Sequence, residues 1–297
     1  MSTTPNPDPV GGLMLSACST PTLAGSPVIR AIRHHLAAGG NRVRAHFSLD
    51  ASRRLGVNNE DAITLAAICE LLHNASLIQD DLIDRAPTRR GLPSVWASFD
   101  DSTAVCAGDL LLASAFGLVG EIRCVEFLAP VLRLVHRRTR DIIVGQGDEM
   151  TSSPASLSDY ELLASGKSAS LLSLPFELPL LLSGHHQFLE LARGATQAFA
   201  VAYQMVDDLS DYAEDVRNGS LNAVSVALGA GSPDYHLACA CVCGRAEELI
   251  QSSIQKAASL PMNCASAMVA HTGKLLSLLR GHEHSGANLF EAVRHAG

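Results

Sequence analysis

The stretch Ile78-Gln79-Asp80-Asp81-Leu82-Ile83-Asp84, followed five residues later by Arg89-Arg90-Gly91, decides how this chain is read. The apolar run before it predicts a helix, on which Asp80 and Asp84 lie one turn apart on one face with Asp81 beside them. Three carboxylates on one edge repel one another unless cations neutralise them. Such an all-oxygen donor set suits hard Mg²⁺ held jointly with substrate phosphates, and the arginine pair just beyond is suited to grip the same phosphates.

A solitary acidic triplet on a helix usually reads as a solvated face. This one has a counterpart. Asp207-Asp208-Leu209-Ser210-Asp211 repeats the spacing far downstream, again behind an apolar run, Phe199 to Val206. Two such helices facing each other form a cage for several Mg²⁺ ions and a diphosphate, and the basic residues that such a cage requires are also present.

Working outward, His73 stands seven residues before Asp80, two turns back on nearly the same face. Asn41-Arg42-Val43-Arg44 forms a basic turn after a helix expected from Val28 to Ala38 and stopped by Gly39-Gly40. Lys167-Ser168 interrupts a run of small and apolar residues, and a partly buried lysine there calls for an anionic partner. Gln204 lies one turn before Asp208. The Arg137-Arg138-Thr139-Arg140 patch is expected on the surface, and residues 1–26, with proline, glycine, serine or threonine at every few positions, as a flexible arm.

The 297 residues are 47% hydrophobic but only 4% aromatic, with leucine and alanine dominant, which favours helices over strand-rich sandwiches. No strand pattern, Gly-rich nucleotide loop or second composition regime interrupts residues 27–297, so one all-α domain is expected there. The net charge of −8 argues against a nucleic-acid surface, while a local basic pocket still accommodates an anionic ligand. Eight scattered cysteines without a secretory signal point to a reducing cytoplasmic setting rather than a disulfide framework. Cys239, Cys241 and Cys243 alternate around a helix and cannot share one ion; His282 and His284 are expected in a loop. The most apolar stretches, 110–120 and 171–182, are too short for a transmembrane segment.

On these residues the chain resembles the trans-isoprenyl diphosphate synthases, the polyprenyl synthetase family, over roughly residues 27–230. The carriers are His73 through Asp84 with Arg89-Arg90-Gly91, Ala107-Gly108-Asp109-Leu110-Leu111, Gly166 through Leu171, and Tyr203-Gln204-Met205-Val206-Asp207-Asp208-Leu209-Ser210-Asp211. The resemblance implies an all-α isoprenoid synthase bundle with a deep central cavity, usually a homodimer, that condenses isopentenyl diphosphate with an allylic diphosphate. It implies Asp80, Asp84 and Asp207 as Mg²⁺ ligands, with Asp81, Asp208 and Asp211 supporting and three ions bound with diphosphate. Arg89, Lys167, Ser168 and Gln204 would hold the allylic diphosphate; Arg44, His73 and Arg90, with the Asn41 turn, the isopentenyl one.

In farnesyl-producing relatives an aromatic residue four or five positions before the first aspartate acts as a floor. Ser76 and Ala75 are both small, so the product is expected to pass C15, with Leu71, Leu72 or Phe116 stopping it near C20, as geranylgeranyl diphosphate. Two departures stand out: the family usually has Lys where this chain has Asn41, and again in the loop where it has Gly219-Ser220. They keep open a class I terpene cyclase on the same scaffold and a non-catalytic subunit of a heteromeric synthase.

Overall fold

The computed structural model describes residues 8–285; the side chains at 21, 150, 167, 168 and 281–285 lie outside that description. The helices run α1 (Pro9–Cys18), α2 (Pro27–Ala37), α3 (Val43–Arg54) and α4 (Asn59–Ile83). A hairpin of β1 (Thr88–Arg89) and β2 (Leu92–Pro93) follows, then α5 (Val95–Ser98), α6 (Asp101–Val119), α7 (Val125–Thr151) and α8 (Leu157–Ala164). After a π-turn at Ser165–Ala169 come α9 (Ser170–Leu182), α10 (Leu189–Asn218), α11 (Ala223–Gly229), α12 (Tyr235–Ala258) and α13 (Ser266–Ser285). The two-residue hairpin is the sole sheet among the described residues, so the all-α expectation holds.

Local chemistry sets the ends of these helices. Side chains of Asn58, Asp100, Asn222 and Asp234 accept backbone N–H groups of Asp61, Thr103, Val224 and Leu237, satisfying first-turn donors that have no partner within the helix. Gly219 ends α10 in the left-handed region, at φ 69°, where a Cβ is disfavoured.

The central α4 is buried along most of its length, from Leu65 through Ile78. It runs antiparallel to α6: the Arg85 guanidinium pairs with Asp101 at 2.8 Å, Gln79 lies against Gly108, and Asp61 accepts the N–H of Arg123 at 3.0 Å, three rungs in opposite order along the two segments. A Cβ on Gly108 would lie 3.3 Å from Gln79 Cγ, so the glycine lets these helices close up. A second core joins α10, α11 and α12, and a third joins α3 to α9 and the ends of α12 and α13.

Four sequence expectations need correction. Residues 1–26 are not all a flexible arm: Pro9, pre-organised at the first helical position, opens α1, and Val10, Met14 and Cys18, spaced four apart, are buried in the α4 and α6 core. Arg138 is not on the surface; it is 1% exposed and bonds Glu177 of α9, itself fully buried, through Nε at 2.8 Å and through Nη2. Ser173 Oγ donates to the same carboxylate at 2.6 Å. His282 and His284 fall within α13 rather than in a loop. Finally, α4 and α6 are each long and apolar enough to cross a membrane by composition, but 78% of the apolar window of α4 is buried inside the protein, as in a core helix, and α6, with 44% of its window buried, packs along it.

Candidate active site

One face of α4 carries His73, Ser76, Leu77 and Asp80, at the i, i+3, i+4, i+7 spacing of a single stripe. These side chains form one wall of a cleft of about 630 Å³. Leu112 and Asp109 of α6, Ile142 and Gln146 of α7 and Leu171 of α9 supply the others. The stripe corrects the expectation for the tail floor: Ser76 lines the cleft, but Ala75 and Leu72, roughly 100° and 40° around the helix from it, are packed in the core at 0% and 1% exposure.

The cleft continues past Gln146 into an acidic one of about 390 Å³, lined by Asp84, Glu149, Gln204, Asp207, Asp208, Asp211 and Ser220 among others. Asp84 of the first aspartate segment and Asp207, Asp208 and Asp211 of the second therefore line one cleft, next to the space lined by Asp80. The second segment is held by Asp208, whose carboxylate accepts Tyr160 OH at 2.8 Å, Gln204 Nε2 at 2.8 Å and the Ala223 N–H at 2.7 Å. Burial pushes this carboxyl up to about 6, against those three hydrogen bonds. Asn222, fully buried, donates to the Asp208 carbonyl at 2.7 Å and to Asp215 Oδ2 at 2.8 Å, tying α11 to α10.

Asp81 and Asp208, expected in supporting roles, both engage neighbouring groups. Asp208 anchors its helix to α8 and α11, and Asp81, 1% exposed, accepts Arg89 Nε at 3.0 Å together with Arg89 Nη2. Asp208 still lines the acidic cleft beside Asp207 and Asp211. Gln204 donates one amide N–H to Asp208 and also lines the acidic cleft. The side chains of Lys167 and Ser168 lie outside the described residues, but their backbone forms the π-turn, packed against Gly145 of α7.

On the other side of His73 lies a basic pocket of about 360 Å³, lined by Gly39, Gly40, Asn41, Arg42, Arg44, Glu70, His73, Asn74 and Arg90, and by Met14 of α1. Arg44 sits in the first turn of α3, its Nε buried without a hydrogen-bond partner. Burial lowers the Arg44 guanidinium, and Glu70 opposes that shift. Arg90 reaches the Gly39 carbonyl and lies flat on Gly40, where a Cβ would stand 2.6 Å from its Nη2. Burial pushes the His73 imidazole well below its ordinary range, and Arg44, Arg90 and His35 push the same way. His35 itself is held at about 4, again chiefly by burial, and its Nε2–H donates to Asn74 Oδ1 at 3.0 Å.

Sequence reasoning missed His35, Asn74, Glu70, Tyr160, Asn222, Gln146 and Glu149. Gln146 and Glu149, three apart at the end of an otherwise apolar helix face, left a readable signal; the others meet their partners across long sequence separations. Among the described residues no three His, Cys, Asp or Glu side chains converge tightly enough to grip an ion alone. The donors around the acidic cleft are all oxygens, the set that suits a hard divalent cation whose shell is completed by a ligand's oxygens.

A family model described as polyprenyl synthetase matches residues 26–220. The all-trans-nonaprenyl-diphosphate synthase (geranyl-diphosphate specific) of Rhodobacter capsulatus is 31% identical over 254 residues, 84% of this chain and 77% of that protein. Geranylgeranyl pyrophosphate synthase 9, chloroplastic, of Arabidopsis thaliana is 30% identical over 209 residues, 65% of this chain and 58% of that enzyme. The fold is shared with a polyprenyl synthase from Caulobacter crescentus CB15, crystallised with calcium and isoprenyl diphosphate, at a TM-score of 0.76 and 22% identity over 90% of this chain and 93% of that one. A match over most of the chain, carried by the segments that line the cleft, means that this protein belongs to the polyprenyl synthetase family.

Proposed function

We propose that this prenyltransferase condenses isopentenyl diphosphate with an allylic diphosphate and releases mainly geranylgeranyl diphosphate, using Mg²⁺, three ions per site, as its metal. One observation carries the reading: an apolar cleft joins an acidic one at Gln146 and a basic pocket at Arg44 and His73. A reaction that expels diphosphate from one substrate while holding a second diphosphate needs those three environments side by side.

In this reading Asp80, Asp84, Asp207 and Asp211, with Glu149, face the allylic diphosphate and its metal ions. When bound, the ions neutralise the charge that develops on the departing diphosphate. Asp81 aims Arg89 at the same group, while Asp208 fixes the pitch of α10. Lys167 and Ser168 complete this half of the site, and Gln204 acts through Asp208. Arg44, His73 and Arg90 hold the isopentenyl diphosphate, and Leu77, Leu112, Ile142 and Leu171 keep water from the allylic cation. The double bond of the isopentenyl group attacks that cation, and loss of a proton restores an allylic product.

The C20 product is supported by Ser76, too small to close the cleft beside Leu112. A homodimer is supported by Val125 and Leu132, exposed apolar residues two turns apart on α7. The deciding experiment is incubation with Mg²⁺, isopentenyl diphosphate and dimethylallyl, geranyl or farnesyl diphosphate in turn. A C20 diphosphate is expected. Hydrocarbons or alcohols from the allylic substrate alone would identify a cyclase, and silence relieved only by an added partner would identify a regulatory subunit.

A further inference from the structure

The basic pocket has an acidic neighbour that belongs to a different part of the chain. Arg42, at its rim, takes the left-handed backbone conformation, φ 46°, just before α3. Its Nη1 pairs with Asp8 Oδ2, while Asp8 Oδ1 accepts the Gly11 N–H at 3.0 Å and caps α1. Gly11 makes room for this arrangement: a Cβ there would stand 2.7 Å from Arg42 Nη1. The α1 helix reaches the pocket directly, through Met14.

The charge balance of the pocket follows. Arg42, Arg44 and Arg90 line it, faced by the carboxylate of Glu70, which also accepts the Ala45 N–H at 2.9 Å. Glu70 is 4% exposed and fixed in the core. The Asp8–Arg42 pair is different, with side chains 52% and 33% exposed, and an ion pair so wetted is weakly held and readily exchanged. A diphosphate entering beside Arg42 carries more charge and more acceptor oxygens than one carboxylate.

We propose that Asp8 is an internal counter-anion of the diphosphate pocket: it parks Arg42 while the pocket is empty of diphosphate and yields the guanidinium to the incoming one. The N-terminal helix thereby sets the affinity for the isopentenyl substrate, and Arg42 supplies the charge that Asn41 lacks. This rests on the assignment of the basic pocket to isopentenyl diphosphate made above. Arg42 is a binding residue in this account, and Asp8 a positioning one.

The discriminating variant is Asp8→Asn, because asparagine caps a helix as well as aspartate but carries no charge. Calorimetric titration with inorganic pyrophosphate in a metal-free, EDTA-containing buffer reads the pocket whatever reaction it serves. D8N is expected to bind pyrophosphate about two- to fivefold more tightly than the parent protein, with the gain shrinking at high salt. R42Q is expected to bind more weakly, and D8N added to R42Q to change nothing further. In steady state D8N lowers the KM for isopentenyl diphosphate by a similar factor while the KM for the allylic substrate holds. An unchanged or weaker D8N affinity overturns the proposal, as does an equal gain in the R42Q background, which would mean long-range charge rather than hand-over. If the pyrophosphate pattern appears in a protein that forms no longer prenyl diphosphate, the pocket account stands and the synthase reading falls; condensation without the pattern gives the reverse.

Discussion

Gly145 of α7 and Gly166 of the π-turn meet backbone to backbone: a Cβ on Gly145 would stand 2.6 Å from the Gly166 carbonyl carbon and 2.7 Å from its oxygen. π-turns inside helices recur at functional sites, and this one carries Lys167. Gly145→Ala is expected to displace the turn, costing about 1–3 kcal/mol of stability and up to roughly 10²-fold in kcat/KM through misplacement of the segment. Gly117→Ala, on α6 with open space around its Cβ, is the control and is expected to gain about 0.5–1 kcal/mol. Thermal denaturation and steady-state kinetics on both variants check the contrast.

Ser76→Phe and Ala75→Phe, adjacent in sequence, are expected to act differently. Ser76 lines the cleft, so a phenyl ring there shortens the product by one or more five-carbon units. Ala75 is fully buried, so the same ring overpacks the core and costs about 1–3 kcal/mol. Product chain length by reversed-phase chromatography and Tm by calorimetry separate the two effects. A Ser76→Phe enzyme with an unchanged product spectrum would sink the floor assignment.

The Arg138–Glu177 pair is buried on both sides. Glu177→Gln leaves the buried Arg138 guanidinium with Asp141, 3.5 Å away, as its remaining acidic partner, and is expected to destabilise by up to about 3–5 kcal/mol. The double variant Arg138→Met, Glu177→Leu removes both charges, and recovers most of that loss because desolvation of the pair no longer has to be offset. Urea denaturation midpoints give the comparison, and a double variant as unstable as the single one would contradict it.

His35 makes stability depend on pH in a defined window. Its folded imidazole is held at about 4, against about 6.5 in an unfolded chain. Above that upper value both states carry a neutral ring and the contribution is flat. As pH falls from about 6.5 to 4, the unfolded chain takes up a proton that the folded protein refuses, and up to about 3 kcal/mol is lost. His73, lowered by burial as well, adds to the same acid limb. His35→Gln keeps a donor for Asn74 and does not titrate, so the drop in Tm between pH 7.5 and pH 5 is expected to shrink.

The part of the site that was legible in the sequence is the part written on single helices. His73, Ser76 and Asp80 share a stripe because of the 3.6-residue period, and Asp207 and Asp211 repeat that logic. What was illegible depends on partners brought together only by the fold. Tyr160 lies 48 residues from Asp208 and Arg138 39 from Glu177, and nothing local to either member announces the other. The partners of Asp81 and Asp208 were illegible for the same reason, since a motif gives residue types but not which groups their oxygens engage. Helix α1 was missed because Pro9 and the two following glycines were read as breakers, when the proline stands where a helix tolerates it best and the buried spacing of Val10, Met14 and Cys18 outweighs the glycines.

The antiparallel rungs between α4 and α6 turn this helix pair into a graduated ruler. Counting from the Gln79–Gly108 rung, each further turn down α4 is matched by a turn along α6, so that Ser76 shares a level with Leu111 and Leu112, and Leu72 with Ala115 and Phe116. One helical turn advances about 5.4 Å, close to the length that one extended five-carbon unit adds to a chain. On the function proposed above, lengthening the product by one unit means clearing one level of paired side chains, a change of two or three positions that leaves the diphosphate-binding end untouched.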